Sequence, residues 1–588
     1  MQATLKNLLP FLKRRSTPSV GRPVRGQKGT IKGLALGRRL RTFAATSPVQ
    51  WVQRFDYAAR SLYYRSVFYP FIEYDAEIAE APTHTAPDLW AGDVEHGKNI
   101  KQNTFSFMGR TVNMGKSVQW APQGVSDEWQ MAFHSFEWIA DLRATQDPQA
   151  KTIARELIGE WIDVCGAFHM LRWHPHVLST RLTSWLTHSS WLLDGADGGW
   201  REKFMHSLTR QANHLPKVME WDVGGHRLIR NLKAQIFASL CLPSRQSAYL
   251  EAEDLLKQQL KVQVLPDGMH HERSPYYHMM VLKDLLDIHA MIIKAGQTPA
   301  PSIDETIDRM SVTMAFFRHP DGGLALFNDG EIGNIDLLDD IQERCGLAET
   351  VPAELPYAGY VRLDNGPIAL LFDGGLCAPM EGTRHAHADT LSFELSYGEH
   401  RVFVNSGTSG VHGSSPQRNK LRGTDAHNTI SLNNLNSAEV WGDGLLGRRP
   451  RNVSCSVREE PGMGIGLEAS HDGYSYLGAK HTRRLFLNSE GNDLRCEDMI
   501  ETRKREWPVQ AHFHLHPTVK YKLISNAEAE LTLPDGTLLS FRVKGGQLFD
   551  ADADYCPEYG QPVAGRKLFV RCTWQNKKCV INWGLREK

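Results

Sequence analysis

The chain has no run of eighteen or more apolar residues, which excludes a membrane-spanning helix as its organising element. It has no CxxC pair. Its nine cysteines, at 165, 241, 345, 377, 455, 496, 556, 572 and 579, are odd in number and scattered. That pattern fits neither a disulfide framework nor a zinc ribbon and predicts mostly buried free thiols. There is no surplus of charge, with 67 Lys and Arg against 67 Asp and Glu. No GxxxxGK[ST] or GxGxxG sits at a strand–helix junction, so nothing supports a nucleotide site. What remains is a 588-residue chain of ordinary globular composition, 41% hydrophobic, whose length predicts more than one domain.

Charge is absent in one sign locally. Residues 1–45 hold eleven Lys or Arg and no Asp or Glu. Leu8-Leu9-Pro10-Phe11-Leu12 is too short for a signal-peptide core and is broken by Pro10. The segment reads as a disordered basic tail, or as one drawn to an anionic membrane surface or an acidic polymer. Nucleic acid is not expected as the main partner, because the rest of the chain carries the compensating acidic excess. Without a signal peptide, a cytoplasmic or membrane-peripheral location is expected over a periplasmic one. The oligomeric state stays open.

From 46 to 355 the periodicity is helical. Ser126-Asp127-Glu128-Trp129 opens with a capping pair, and apolar residues recur at helical spacing over 153–161, 182–193, 231–240, 250–260 and 281–295. Helices of this length joined by Gly- and Pro-bearing turns predict hairpins arrayed around a ring or stacked as a bundle. Trp129, Trp138, Trp161, Trp173, Trp185, Trp191 and Trp200 crowd this region; most are expected in the core, with a few lining a groove as platforms for sugar rings. From 356 to 588 the period changes to that of strands, over 360–363, 368–372, 391–397, 401–404, 429–432, 510–515, 539–543, 567–572 and 579–583. Helices followed by strands predict an α domain and then a large antiparallel β-sandwich.

Five stretches are rich enough in ionisable groups to weigh for chemistry. Arg384-His385-Ala386-His387-Ala388-Asp389 leads into an alternating run, so that on a strand His385 and His387 share a face. Two readings stand: one His moves protons while the other binds metal or orients its neighbour, or the two are a hydrogen-bonded pair at a strand start. His226, Arg227 and Asn231 lie at a helix start, where they either hold a carboxylate or cap the helix. Residues 267–278 crowd ionisable groups and two phenols, including Tyr277, into a turn before a helix. His427 follows Arg422-Gly423-Thr424, and His512-Phe513-His514-Leu515-His516 reads as structural.

Taken in order, these motifs resemble the heparinase II/III-like family of polysaccharide lyases. The likeness runs from about Phe107 to the C-terminus through Val118-Gln119-Trp120, Trp129 with Phe133-His134-Ser135-Phe136, Ser179-Thr180-Arg181, Asn231-Leu232-Lys233-Ala234, Glu272 to His278, His385 to Asp389 with Asn405-Ser406-Gly407-Thr408, Arg422-Gly423-Thr424 with His427-Asn428-Thr429, and His471-Asp472-Gly473-Tyr474. The resemblance implies an incomplete α/α toroid followed by an antiparallel β-sandwich. It implies β-elimination at a uronic acid, which needs a carboxylate neutraliser, a base, and an acid for the departing oxygen. By similarity Tyr277, His385, His226 and Asn231 are the catalytic candidates. Arg227, His134, Trp129, Arg181, Arg273 and Arg422 are the substrate-binding candidates, and an acidic polysaccharide is the partner. No cofactor is required, but the family's structural zinc would fall on His387, Asn405 and His427.

Two departures stand out. Asn405 replaces the family's Asp, and a neutral amide is a poor zinc ligand. His226-Arg227 replaces the usual Asn-His pair. The alternative expectation is therefore a catalytically weak or inactive glycan-binding protein of surface-polysaccharide biosynthesis. A glycoside hydrolase built on Glu272 is a third, though it lacks an evident carboxylate partner.

Overall fold

A computed structural model describes residues 62–64, 66, 78–219, 225–346, 350–378, 384–409, 416–441 and 444–588. The basic segment 1–45, and the membrane contact expected of it, lie outside these residues.

The N-terminal half is helical. Its longer helices are α1 (Asp127–Ser135), α2 (Pro148–Cys165), α3 (Pro175–Thr187), α4 (Gly198–His214), α5 (Gly225–Cys241), α6 (Tyr249–Gln263), α7 (Pro275–Lys294), α8 (Pro301–Phe316) and α9 (Ile335–Cys345). Their starts are written in the sequence. The Ser126 and Asp197 side chains accept the main-chain N–H three residues on, and Pro148, Pro175, Pro275 and Pro301 occupy the first turn, where a missing N–H costs nothing. The expected window 182–193 is in fact two helices, broken at His188. α5 packs against α3, α6 and α7, and α7 against α8. Among the described residues no helix is long and apolar enough to cross a membrane.

The C-terminal half is two antiparallel sheets. One has eight strands in the order 520–525, 528–532, 538–544, 578–587, 493–502, 479–488, 464–471, 453–460. The other runs 546–555, 563–572, 509–515, 400–403, 393–397, 368–373, 360–365, 354–355, with 430–432 paired to 509–515. Their inner faces share one core, in which Phe393 and Phe513 of the second sheet meet Trp583 of the first at 5.3 and 5.0 Å between ring centroids. Gly366 and Gly398 take positive φ at two of the expected turns.

One expectation is corrected here, and one is refined. His385 and His387 do not lie on a strand; the strand begins at Phe393, after a turn in which Leu391 has φ 65°. Cys572 and Cys579 form a disulfide, the short turn that carries the chain from one sheet to the other leaving their Cα atoms 6.2 Å apart. The other seven cysteines are free thiols.

Candidate active site

The helical and β halves meet at a cluster of rings. Helix α5 brings His226 in its first turn, and Pro275 starts α7 so that Tyr277 sits in the first turn of that helix. The β half brings His385. The Tyr277 ring lies between the two imidazoles, 4.2 Å from His226 and 4.1 Å from His385 between centroids, and the imidazoles are 5.5 Å apart.

Each imidazole has its own carboxylate. His226 Nδ1 lies 2.8 Å from Glu272 Oε2, and the Glu272 side chain is fully buried. Gly225 makes room for it, since a Cβ there would fall 2.5 Å from Glu272 Oε1. Burial pushes the Glu272 carboxyl above its usual range, against the pull of nearby His385 and His271. On the other side His385 Nδ1 lies 3.2 Å from Asp329 Oδ2.

Asp329 was not foreseen, and it ties the site together. It accepts from the Thr408 hydroxyl at 2.7 Å and from Arg418 at 2.5 Å, while His387 Nε2 lies 2.9 Å from Oδ1. Burial alone would raise its pKa, but Arg418 and the two imidazoles hold it well below the usual carboxylate range. The residue therefore stays charged. It sits at φ 56° next to Asn328 at φ 53°. An Asn-Asp-Gly turn signal marks the place in sequence, but nothing there names its partners.

Tyr559, the second unforeseen residue, has its hydroxyl 2.5 Å from that of Tyr277 and donates to the Asp329 main-chain carbonyl at 3.1 Å. Burial and then Asp329 push the Tyr277 phenol well above its ordinary pKa, while the Tyr559 hydrogen bond and Arg227 pull it back. His385 is held below its usual value by burial, against Asp329. At neutral pH the resting pair is thus a protonated phenol beside a neutral imidazole. With its Nδ1–H on Asp329, the neutral imidazole has Nε2 as its basic nitrogen.

Other expected residues are placed elsewhere. Asn231 is fully buried and donates to the Met219 carbonyl at 3.2 Å. Trp129 is a core residue donating to the Arg110 carbonyl, and His134 accepts from Trp161 Nε1 at 3.0 Å. Arg181 is enclosed, donating to Gln211 Oε1 and to the carbonyls of His134 and Arg172. Arg273 pairs with Asp373 at 2.5 Å, and Arg422 donates to the carbonyls of Ala386, Trp441 and Gly444. Trp129, His134, Arg181, Arg273 and Arg422, expected to bind substrate, are thus all buried, with hydrogen-bond partners inside the fold. Arg227, partly exposed beside His226, is the one of the six positioned at the ring cluster. Trp138, Trp161, Trp173 and Trp185 are buried, and Trp191 and Trp200 pack against the same core, so none forms an open platform.

His387 Nδ1 and His427 Nε2 face each other at 3.2 Å, but Asn405 Oδ1 lies behind His427, 3.0 Å from its far nitrogen Nδ1. The carboxylate that converges with the two imidazoles is Asp389, all three ligand atoms lying within 4.8 Å of one another. Its Oδ2 is buried without a hydrogen-bond partner. Burial, with Asp373 nearby, pushes the Asp389 carboxyl up to about 7.

Comparison with known proteins agrees with this architecture. FtsZ-localized protein C of Caulobacter vibrioides is 26% identical over 465 residues, 75% of this chain and 78% of that protein. A heparin-sulfate lyase of Bacteroides thetaiotaomicron is 23% identical over 461 residues, 66% of this chain and 62% of that one. A crystal structure of heparinase III superposes with a TM-score of 0.71 at 16% identity, covering 92% of each chain, and so shares the fold of a helical N-terminal part and a large antiparallel C-terminal part. The heparinase II/III N-terminus profile matches residues 41–345 and the heparinase II/III-like C-terminal profile matches 349–584, so the chain belongs to the heparinase II/III-like family.

Proposed function

We propose that the protein is a polysaccharide lyase that cleaves an acidic, uronate-containing polysaccharide or its oligomers by β-elimination. One observation carries this reading: the Tyr277 phenol is packed between two imidazoles, each oriented by its own buried carboxylate. In the reaction, Arg227 and His226 neutralise the uronate carboxylate and so acidify the C5 proton. His385 Nε2 takes that proton, with Asp329 stabilising the imidazolium that forms. The electron pair becomes the C4–C5 double bond, the C4–O bond breaks, and the departing oxygen takes the Tyr277 proton. The directions of the two pKa shifts favour His385 as base and Tyr277 as acid. None of these steps routes through a metal.

The helices α3, α5 and α7, packed in succession, support reading the helical half as the open α/α toroid of the family. A substrate panel of heparan sulfate, hyaluronan, alginate and glucuronan tests the activity through the ultraviolet absorbance of the unsaturated product. Absorbance growing on one substrate is the expected outcome.

A second reading is favoured by the relative that aligns over three quarters of this chain and is named for localisation with FtsZ, not for lyase activity. In it, the protein binds glycan at a cell-surface assembly with little or no turnover. Measurable glycan binding with no absorbance on any substrate would select that reading and sink the first.

A further inference from the structure

The outward face of the eight-stranded sheet carries a trough of about 630 Å³ that shares no residue with the ring cluster. Strand register explains its floor. Phe486, Arg495, Gly584 and Arg542 lie side by side on the neighbouring strands 479–488, 493–502, 578–587 and 538–544. Three interstrand spacings make this row about 14 Å long. At its third place there is no side chain. Gly584 does not have a positive φ, so its backbone conformation does not call for glycine. A Cβ there would find the Leu494 carbonyl oxygen at 3.1 Å and no other described atom within 4 Å, so the space above Gly584 is open.

The trough is basic although the chain as a whole is neutral. Arg484, Arg495, Arg542, Lys544 and Arg586 line it, against only Asp493 and Glu497 of opposite sign. A solvent-facing sheet ordinarily closes such charges in ion pairs with their neighbours. Three of the five cations follow that rule. Arg484 holds Glu468 at 2.6 Å and Glu497 at 2.7 Å, Arg495 holds Asp493 at 2.6 Å, and Arg542 reaches Glu528 at 3.2 Å. Lys544 and Arg586 are exposed and have no ion-pair partner among the described residues. They stand on opposite sides of the Gly584 row, because Lys544 lies opposite Asn582 and Arg586 opposite Ser540.

We propose that this trough is a second, non-catalytic docking site for an acidic polysaccharide, which crosses the strands over Gly584 with its anionic groups at Lys544 and Arg586. The site rests on an acidic glycan being the partner, as in both readings above, and not on turnover. Its mixture of groups suits a glycan better than other polyanions. Sugar hydroxyls donate to Asp493, Glu497 and the Asn582 amide oxygen, whereas the same carboxylates repel the closely spaced phosphates of nucleic acid. At one end the partly exposed Phe486 ring offers a surface to the apolar face of a sugar. A polymer long enough to engage the trough and the ring cluster together gains avidity that a short oligosaccharide cannot.

Binding of long heparan sulfate, hyaluronan and alginate to the full-length Tyr277→Phe protein, chosen so that the polymers stay intact, tests the site. In that background Lys544→Glu combined with Arg586→Glu should weaken the preferred polymer by about tenfold, the combined scale of two charge reversals at exposed positions. Lys544→Gln with Arg586→Gln should cost about threefold, and both losses should shrink at high salt. Thermal unfolding should not move in either variant, since both side chains are exposed. With Tyr277 restored, the charge reversals should leave turnover of a short oligosaccharide unchanged; a protein that turns over nothing counts against the lyase reading and leaves the binding comparison intact. If none of the three polymers binds, or if the folded charge-reversed protein binds them as tightly as its parent, the docking site is overturned. Capture of single-stranded DNA or anionic vesicles in place of glycan overturns it as well.

Discussion

Two ring clusters in this protein use the same residue types to opposite ends. In the helical half, Trp120 stacks on Phe133, Trp161 meets Trp185 edge-on, His134 accepts from Trp161, and Arg181 lies over the Trp161 ring at 4.2 Å. At the junction with the β half, Tyr277 lies between His226 and His385. The first cluster contains no carboxylate paired with its cation among the described residues, and burial drives the His134 pKa down to about 3. The second gives each imidazole a carboxylate and leaves the His226 side chain 12% exposed. An imidazole beside aromatic rings is thus a packing unit when dry and unpaired, and a proton-transfer unit when a carboxylate fixes its tautomer and a ligand can reach it.

The largest separation between the two clusters should come from removing one oxygen atom. Tyr277→Phe takes away the group proposed to protonate the leaving oxygen, and turnover should fall by about 10²–10⁴-fold, the usual scale of acid–base catalysis. The fold should hardly notice, since Tyr559 still donates to the Asp329 carbonyl and the loss is at most about 1 kcal/mol. Full activity in that variant would remove Tyr277 from the mechanism. Arg181→Met is the mirror experiment. It strands the acceptors on Gln211, His134 and Arg172, at about 1–3 kcal/mol each, partly offset by no longer burying a charge. A net loss of about 2–4 kcal/mol in chemical denaturation, with turnover per folded molecule unchanged, is expected. A drop in turnover without a drop in stability would return Arg181 to the substrate site.

The order of helices and strands was legible because it depends on local patterns. Capping by Ser126, the prolines at helix starts and the turns at Gly366 and Gly398 all act over a few residues. The strands between 453 and 502 were missed: several of their outward residues form cross-strand ion pairs, such as Arg484 with Glu468 and Glu497, and the alternation is masked by charge. At the site, motif order identified His226, Tyr277 and His385, which the fold does bring together. It could not identify Asp329, whose partners lie 56, 58, 79 and 89 residues away in the chain, or Tyr559, 282 residues from Tyr277. The burial of the arginines was illegible for a related reason. A cation in a motif looks like a ligand contact until the groups that claim it are seen, and Arg422 donates to the main-chain carbonyls of Ala386, Trp441 and Gly444.

The smallest expected effect is also the most discriminating. Tyr559→Phe leaves every ring of the active cluster in place and removes only the hydroxyl that lowers the Tyr277 pKa against burial. Without it the phenol becomes a weaker acid. One neutral hydrogen bond is worth about 0.5–1.5 kcal/mol, so kcat should fall by about two- to tenfold, with KM little changed. The pH profile then tells which way the proton moves. If Tyr277 is the acid, it must be protonated to work, and raising its pKa shifts the falling, alkaline limb of kcat/KM to higher pH. If Tyr277 is instead the base, it must be ionised, and the same substitution shifts the rising limb upward while the alkaline limb stays. A profile that does not move at all would mean that the two phenols, although 2.5 Å apart, are not coupled in the reaction, and Tyr559 would then belong with the packing residues of the first cluster.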